Sequence, residues 1–225
     1  MQLADVVRTL KEQGTAQNRK VYARHGAQEP MFGVSYAVLR PLAKRIGRDQ
    51  SLAEALWNTG NHDCRALALL VADVATIKKS TLTAWGRTPG AGCLAGELAK
   101  VVAPTAWGIE LGSKWCASRG DLQRQLGWYV IARLALDETR EVEPLLEVAL
   151  ETIERTIHEA PNYTRHAMNY ALISIGGRNA KLKQRAIAAA RRIGKVEVDH
   201  GETGCKTPDA AAYIAKIRAR KATRR

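Results

Sequence analysis

Apolar residues recur every three to four positions along almost the whole chain, and no stretch alternates convincingly with the period of two that a strand needs. LAEALWN (52–58), CRALALLVADV (64–74), AWGIELGSKWCAS (106–118), GDLQRQLGWYVIARLAL (120–136), EVEPLLEVALETIERTIH (141–158), YTRHAMNYALISI (163–175) and NAKLKQRAIAAARRIG (179–194) all carry the helical period. MQLADVVRTLKEQG, at the start, reads as an amphipathic helix and not as a signal peptide. Gly, Pro, Asn and Asp break these segments at short intervals, which predicts about a dozen helices of roughly 8 to 17 residues. Links this short make neighbouring helices antiparallel.

The helix–break–helix units are roughly 35 to 45 residues long, the range of HEAT or armadillo repeats, although no exact repeat is present. The expected fold is therefore all-α: a superhelix of HEAT-like, armadillo-type helix pairs with an extended concave surface. A compact irregular bundle is the alternative. No linker divides the chain, so residues 1–215 are expected to form a single repeat domain, followed by a basic tail at 216–225.

Composition adds a constraint on packing. Hydrophobic residues are 46% of the 225 positions but aromatics only 5%, so Leu, Ala, Ile and Val must fill the core. Trp57, Trp85, Trp107, Trp115 and Trp128 are the main bulky side chains, and most are expected to be buried. Cys64, Cys93 and Cys116 fall in apolar stretches and read as small buried hydrophobes. With Cys205 they are widely spaced and form no CxxC, which points to free thiols and a reduced, cytoplasmic setting. No apolar run reaches membrane-spanning length, so no membrane association is expected.

Charge changes the picture more. The formal net charge is +13, and the last ten residues, KIRARKATRR, hold six of the Lys and Arg. The remaining excess is still positive, and a strongly basic chain calls for a polyanionic partner, nucleic acid first. In 181–195, Leu182, Ala186, Ala189 and Ile193 form a core stripe, with Lys181, Arg185, Arg192 and Lys195 beside it and no acid in the segment. Glu143, Glu147, Glu151 and Glu154 share one face of the 141–157 helix, a face expected to point away from any phosphate.

VEVDHGETGCKTPDA (196–210) gathers Asp199, His200, Glu202 and Cys205, four possible metal ligands. A structural zinc site would offer paired cysteines or a Cys/His set at fixed spacings, which this segment lacks. A rigid hydrogen-bonded loop is the favoured reading, with Thr207 capping the last helix and Pro208 as its first residue. Backbone amides and Lys206 touching a phosphate is a third option. No cofactor or metal is expected. GRTPGAG (86–92) has glycines but neither the Lys-Ser ending nor the preceding strand of a phosphate cradle.

QEPMFGVSYAVLRPLAKRIG (28–47), NYTRHAMNYALISIGGRN (162–179) and the Trp-rich middle together resemble the DNA alkylation repair family, the AlkD-like glycosylases built from HEAT-like repeats. The resemblance runs from about residue 20 to 195. It implies a protein that wraps double-stranded DNA in a basic concave groove. Active members release N3- and N7-alkylated purines without flipping the base, using an Asp to stabilise the sugar cation and Trp side chains to line the lesion. A cationic base and an oxocarbenium-like sugar both favour aromatic faces and a carboxylate.

The catalytic pattern is not retained in this chain. AGCLAGELA (91–99) aligns with the family's Trp and Asp helix and puts Gly92 and Gly96 at those positions. A shift of one residue would bring Glu97 to the Asp position. RHAMNYAL places Tyr170 where the family has its second Trp, and LQRQ retains Arg124 of a basic pair but has Gln125 in the second place. The resemblance also sets His166 where an inner-helix basic residue meets phosphate, with Arg165 beside it.

The expectation is a monomeric DNA-binding member that contacts phosphate through Arg124, Arg165, His166, Tyr170, Lys181, Arg185, Arg192, Lys195 and the tail, without full glycosylase activity. An active glycosylase using Glu97, and a non-enzymatic scaffold for an acidic protein or RNA, are the alternatives.

Overall fold

The computed structural model describes residues 1–222, with side chains through residue 217. Much of the basic tail expected at 216–225 therefore lies outside the described residues. Within them the chain is all-helical, with thirteen α-helices, two short 3-10 helices and no strand. None of these helices is long and apolar enough to cross a membrane.

Two compact units divide the chain: Met1–Val101 with Gly201–Thr203, and Val102–His200 with the chain from Gly204. The first unit holds α1 (Leu3–Gln13), α2 (Ala16–Arg24), α3 (Tyr36–Ile46), α4 (Gln50–Asn58), α5 (His62–Val71), α6 (Lys79–Trp85) and α7 (Ala95–Val102). The second holds α8 (Gly108–Cys116), α9 (Asp121–Leu136), α10 (Glu143–Thr156), α11 (Asn162–Gly176), α12 (Ala180–Ile193) and α13 (Ala210–Ala222).

Local chemistry sets the helix starts. Thr15, Asp49, Asn61 and Asn179 cap α2, α4, α5 and α12 by accepting from backbone N–H groups in the first turn. The last helix departs from the sequence expectation. Asp209 is its cap, accepting from the Ala212 N–H at 2.7 Å, while the Thr207 hydroxyl sits 2.9 Å from His200 Nε2. A carboxylate satisfies the positive helix end better than a hydroxyl does, so the start moves two residues on.

In the first unit α5 is the central element, packed by α4, α3 and α1. Its second residue, Asp63, is fully buried, and its carboxylate accepts from three consecutive backbone amides: Phe32 (2.6 Å), Gly33 (3.0 Å) and Val34 (2.7 Å). Gly33 makes this possible at φ +82, and a Cβ there would lie 2.4 Å from the Thr15 carbonyl oxygen. The QEPMFGVS stretch is thus an amide nest wrapped around a carboxylate.

In the second unit α9 lies against both α8 and α11 and is buried nearly all round, which explains its weak amphipathicity. A Cβ on Gly127 would lie 2.4 Å from the Cys116 backbone nitrogen, so only glycine admits the close approach of α8 and α9.

The repeat spacing is written in the hydrogen bonds of the second unit. Arg185–Glu151, Arg140–Thr105, Arg178–Glu143, Arg192–Glu154, Thr164–Asp121 and Arg178–Leu134 span 34, 35, 35, 38, 43 and 44 residues. Corresponding positions of successive helix pairs therefore bond one another. The expected all-α architecture of paired helices is met.

Arginines do much of this joining. Arg178 is buried and donates through Nη1 to the Leu134, Ala135 and Asp137 carbonyls, through Nη2 to the Arg140 carbonyl and through Nε to Glu143. Arg140 donates to the Pro104 and Thr105 carbonyls, and Arg48 to those of Leu70 and Ala72. Each gathers carbonyls at or just past a helix C-terminus, where four have no intrahelical partner.

Candidate nucleic-acid interface

The α12 cations and the α10 glutamates meet. Lys181 pairs with Glu147 at 2.8 Å, Arg185 with Glu147 at 2.9 Å and Glu151 at 3.1 Å, and Arg192 with both oxygens of Glu154. Lys195 pairs with Glu197 at 2.8 Å. The expectation of one unopposed basic face and one acidic face turned away is corrected. The faces interlock because α10 packs on α12, so opposite charges a repeat apart in sequence become neighbours.

Those pairs tune the titration. Hydrogen bonding from Arg178, Lys181 and Arg192 holds Glu143, Glu147 and Glu154 below the ordinary glutamate value of 4.5. A depressed folded-state pKa contributes stability above that ordinary value and loses it as pH falls through the folded value. Urea midpoints should therefore drop below about pH 4.5. They should drop less steeply in a Glu147→Gln/Glu154→Gln variant, and parallel profiles for the two proteins would assign no acid sensitivity to the ladder.

On α11, Arg165, His166 and Tyr170 are used differently. Arg165 donates to the carbonyls of Glu197 (2.9 Å), His158 (3.0 Å) and Ala160 (2.9 Å), so its guanidinium ties the 194–199 segment to α11. Burial, and then the neighbouring His200, hold His166 below its ordinary pKa, so it is neutral at pH 7. The two imidazoles meet edge-on with centroids 5.4 Å apart. Tyr170 is 39% exposed and leans on Tyr129 of α9, ring centroids 5.7 Å apart. Burial pushes the Tyr129 hydroxyl up to about 12. Arg124, on the first turn of α9, leaves a buried Nε without a partner.

Between α11 and the 194–209 segment lies an open cleft of about 790 Å³, lined by Arg165, Lys195, His200 and Lys206 among others. The segment is pinned by Asn162, which donates to the Asp199 carbonyl at 2.7 Å and accepts from the Asp199 amide at 2.8 Å. Asn169 donates to the Pro208 carbonyl at 3.1 Å. The described residues bring no three His, Cys, Asp or Glu side chains into metal-binding range.

Glu97 lies in the first turn of α7, where it pairs with Lys100 at 2.5 Å. Its field, with burial as the larger cause, raises the Tyr36 hydroxyl on α3. Trp85 is buried and stacks on Trp57, centroids 4.6 Å apart, whereas Trp107 is 39% exposed. Cys93 departs from the buried expectation. The 3-10 turn Gly92–Leu94 carries it to the surface, with Sγ 3.7 Å from His62 Nδ1.

The sequence expectation placed no phosphate contact on α3, although the 28–47 stretch carried part of the family resemblance. Arg40, Lys44 and Arg45 stand exposed there with no carboxylate in ion-pair range among the described residues. The acid-free run LRPLAKRIGR was the available signal.

Stacked helix pairs joined one repeat apart, with cations on several helix faces, define a helical-repeat protein with a basic surface. The profile of the family described as DNA alkylation repair enzyme matches residues 6–214. An uncharacterized protein of Listeria innocua is 30% identical over 208 residues, covering 89% of this chain and 90% of its own. One of Listeria monocytogenes is 29% identical over the same length and coverage. A solved structure described as "A new family of proteins related to the HEAT-like repeat DNA glycosylases with affinity for branched DNA structures" superposes with a TM-score of 0.88. It is 28% identical and covers 98% of this chain and 95% of its own. The chain belongs to the DNA alkylation repair family, and its fold is that of the HEAT-like repeat DNA glycosylases.

Proposed function

We propose that the protein binds DNA through the sugar-phosphate backbone and does not excise bases. The observation that carries this reading is the near-complete likeness to a structure whose family has affinity for branched DNA. The +13 charge supports it, since backbone contacts position a protein without reading sequence. In the second unit the contacts assigned are Arg124, Lys206 and the exposed aromatic edge of Tyr170, with His166 as a neutral hydrogen-bond donor. Lys181, Arg185, Arg192 and Lys195 reach phosphate only by exchanging their glutamates for it, and Arg165 only by releasing backbone carbonyls.

Glu97 has the charge for an oxocarbenium-stabilising role, but Lys100 already neutralises it. Single-turnover assays on methylated duplex DNA are expected to show base release at the spontaneous rate, for the protein and for Glu97→Gln alike. Release that is fast and is lost in Glu97→Gln would establish the glycosylase instead. Fluorescence anisotropy on duplex and four-way-junction DNA should show binding that weakens steeply with salt. The backbone reading fails if DNA is not bound, or if an acidic peptide binds equally well.

A further inference from the structure

We infer that the exposed face of α3 is a phosphate-binding surface, with Arg40 and Lys44 as its contacts; this rests on the DNA-binding reading above. Three positions, Tyr36, Arg40 and Lys44, succeed one another every four residues along the helix, so their side chains lie on one side of it. The opposite side carries Leu39 and Leu42 into the core.

Three features set this face apart from the α12 cations. First, Arg40, Lys44 and Arg45 have no carboxylate partner among the described residues, whereas Lys181, Arg185 and Arg192 are each held by a glutamate of α10. A phosphate arriving at α3 displaces only water. Second, Arg40 is held over the Tyr36 ring, its guanidinium carbon 5.7 Å from the centroid, a contact that restrains the group. Third, Arg40, Lys44 and Arg48 line an open groove of about 340 Å³ floored by Ala43, Gly47 and Leu70. Arg48 is itself fixed by the Leu70 and Ala72 carbonyls, so one wall is rigid.

The reach fits a nucleic-acid strand. Arg40 and Lys44 stand four residues apart, about 6 Å along the helix, and successive phosphates of one strand advance about 3.4 Å along the duplex axis. The two side chains therefore reach separate phosphates of one strand. The occupant is the DNA backbone; free inorganic phosphate is the competing source of the same chemistry.

The test compares the full-length protein with Arg40→Gln/Lys44→Gln and with Arg185→Gln/Arg192→Gln, titrating labelled duplex and junction DNA across a salt series. The α3 variant should lose roughly ten-fold or more in affinity near 0.1 M salt, and its slope of log K against log salt should flatten by about 2, one for each lost phosphate contact. The α12 variant should keep the parent slope. Lys44→Gln alone changes a side chain with no partner among the described residues; it should flatten the slope by about 1 with unchanged helicity and melting. If the α3 variants keep the parent affinity and slope while the parent binds DNA, the surface is wrong and the DNA-binding reading stands. If the parent shows no salt-dependent DNA binding, both fall. Competition by 10 mM inorganic phosphate, well beyond its contribution to ionic strength, would make a free-phosphate site of it and overturn the backbone assignment.

Discussion

Asp63→Ala is expected to lower the stability of the first unit by about 4 kcal/mol, enough to leave it largely unfolded in mild urea. The carboxylate is fully buried and is the acceptor for the amides of Phe32, Gly33 and Val34. Alanine would strand three donors in a place water reaches poorly, and each stranded donor costs about 1 to 3 kcal/mol. Asp63→Asn should be nearly as damaging, because its NH2 end would face amides that themselves donate. Asp5, on the exposed side of α1, provides the control: its ion pair with Arg8 is at the surface, and Asp5→Ala should change stability by less than about 1 kcal/mol. Hydrogen exchange of the α5 amides is the right readout, since a chain of two compact units need not unfold in one step. A loss below about 1 kcal/mol for Asp63→Ala would show that the nest is not what fixes the 28–34 segment.

Arg178→Met is expected to cost the second unit about 3 kcal/mol. Methionine keeps most of the volume and none of the donors. What is lost is the set of charge-assisted bonds to four carbonyls around the end of α9, at the negative pole of that helix. Arg178→Lys should recover part of the loss, because an ammonium keeps the charge but cannot bridge so many oxygens in one plane. Glu143→Gln should have a far smaller effect, since its carboxylate is 42% exposed. Equal losses in Arg178→Met and Glu143→Gln would mean that the ion pair, not the carbonyl cluster, carries the energy. Urea unfolding of the three variants decides between them.

How much of this was legible in the sequence depends on the distance between partners. The helix positions were, because the apolar period is local: the 120–136 stretch is α9 and 179–194 is α12 to within a residue or so. The pairing of α10 with α12 was not. Each helix showed its charge plainly, but that the two faces meet is a tertiary fact, and unopposed cations in the sequence became a neutralised ladder. Arg165 and Arg178 illustrate the same gap. Nothing local separates an arginine that will meet phosphate from one that will collect carbonyls a repeat away. Asp63 follows Asn61 as an ordinary first-turn acid, with no hint that it reaches residues 32–34. The exposed cations of α3 were legible, since LRPLAKRIGR has no acid, although the acid-free run at 181–195 is longer and more basic.

The arginine ties have a consequence for how this chain can change. Solenoids are commonly treated as strings of interchangeable units, lengthened or shortened by inserting or deleting one helix pair. Here the guanidinium that satisfies the end of α9 belongs to the junction between α11 and α12, and the one that satisfies the Pro104–Thr105 turn belongs to the stretch after α9. Removing a pair takes away its neighbour's hydrogen-bond donors along with its own helices. A deletion would have to bring a replacement arginine with it, so the number of repeats in the second unit is expected to resist alteration more than its surface residues do.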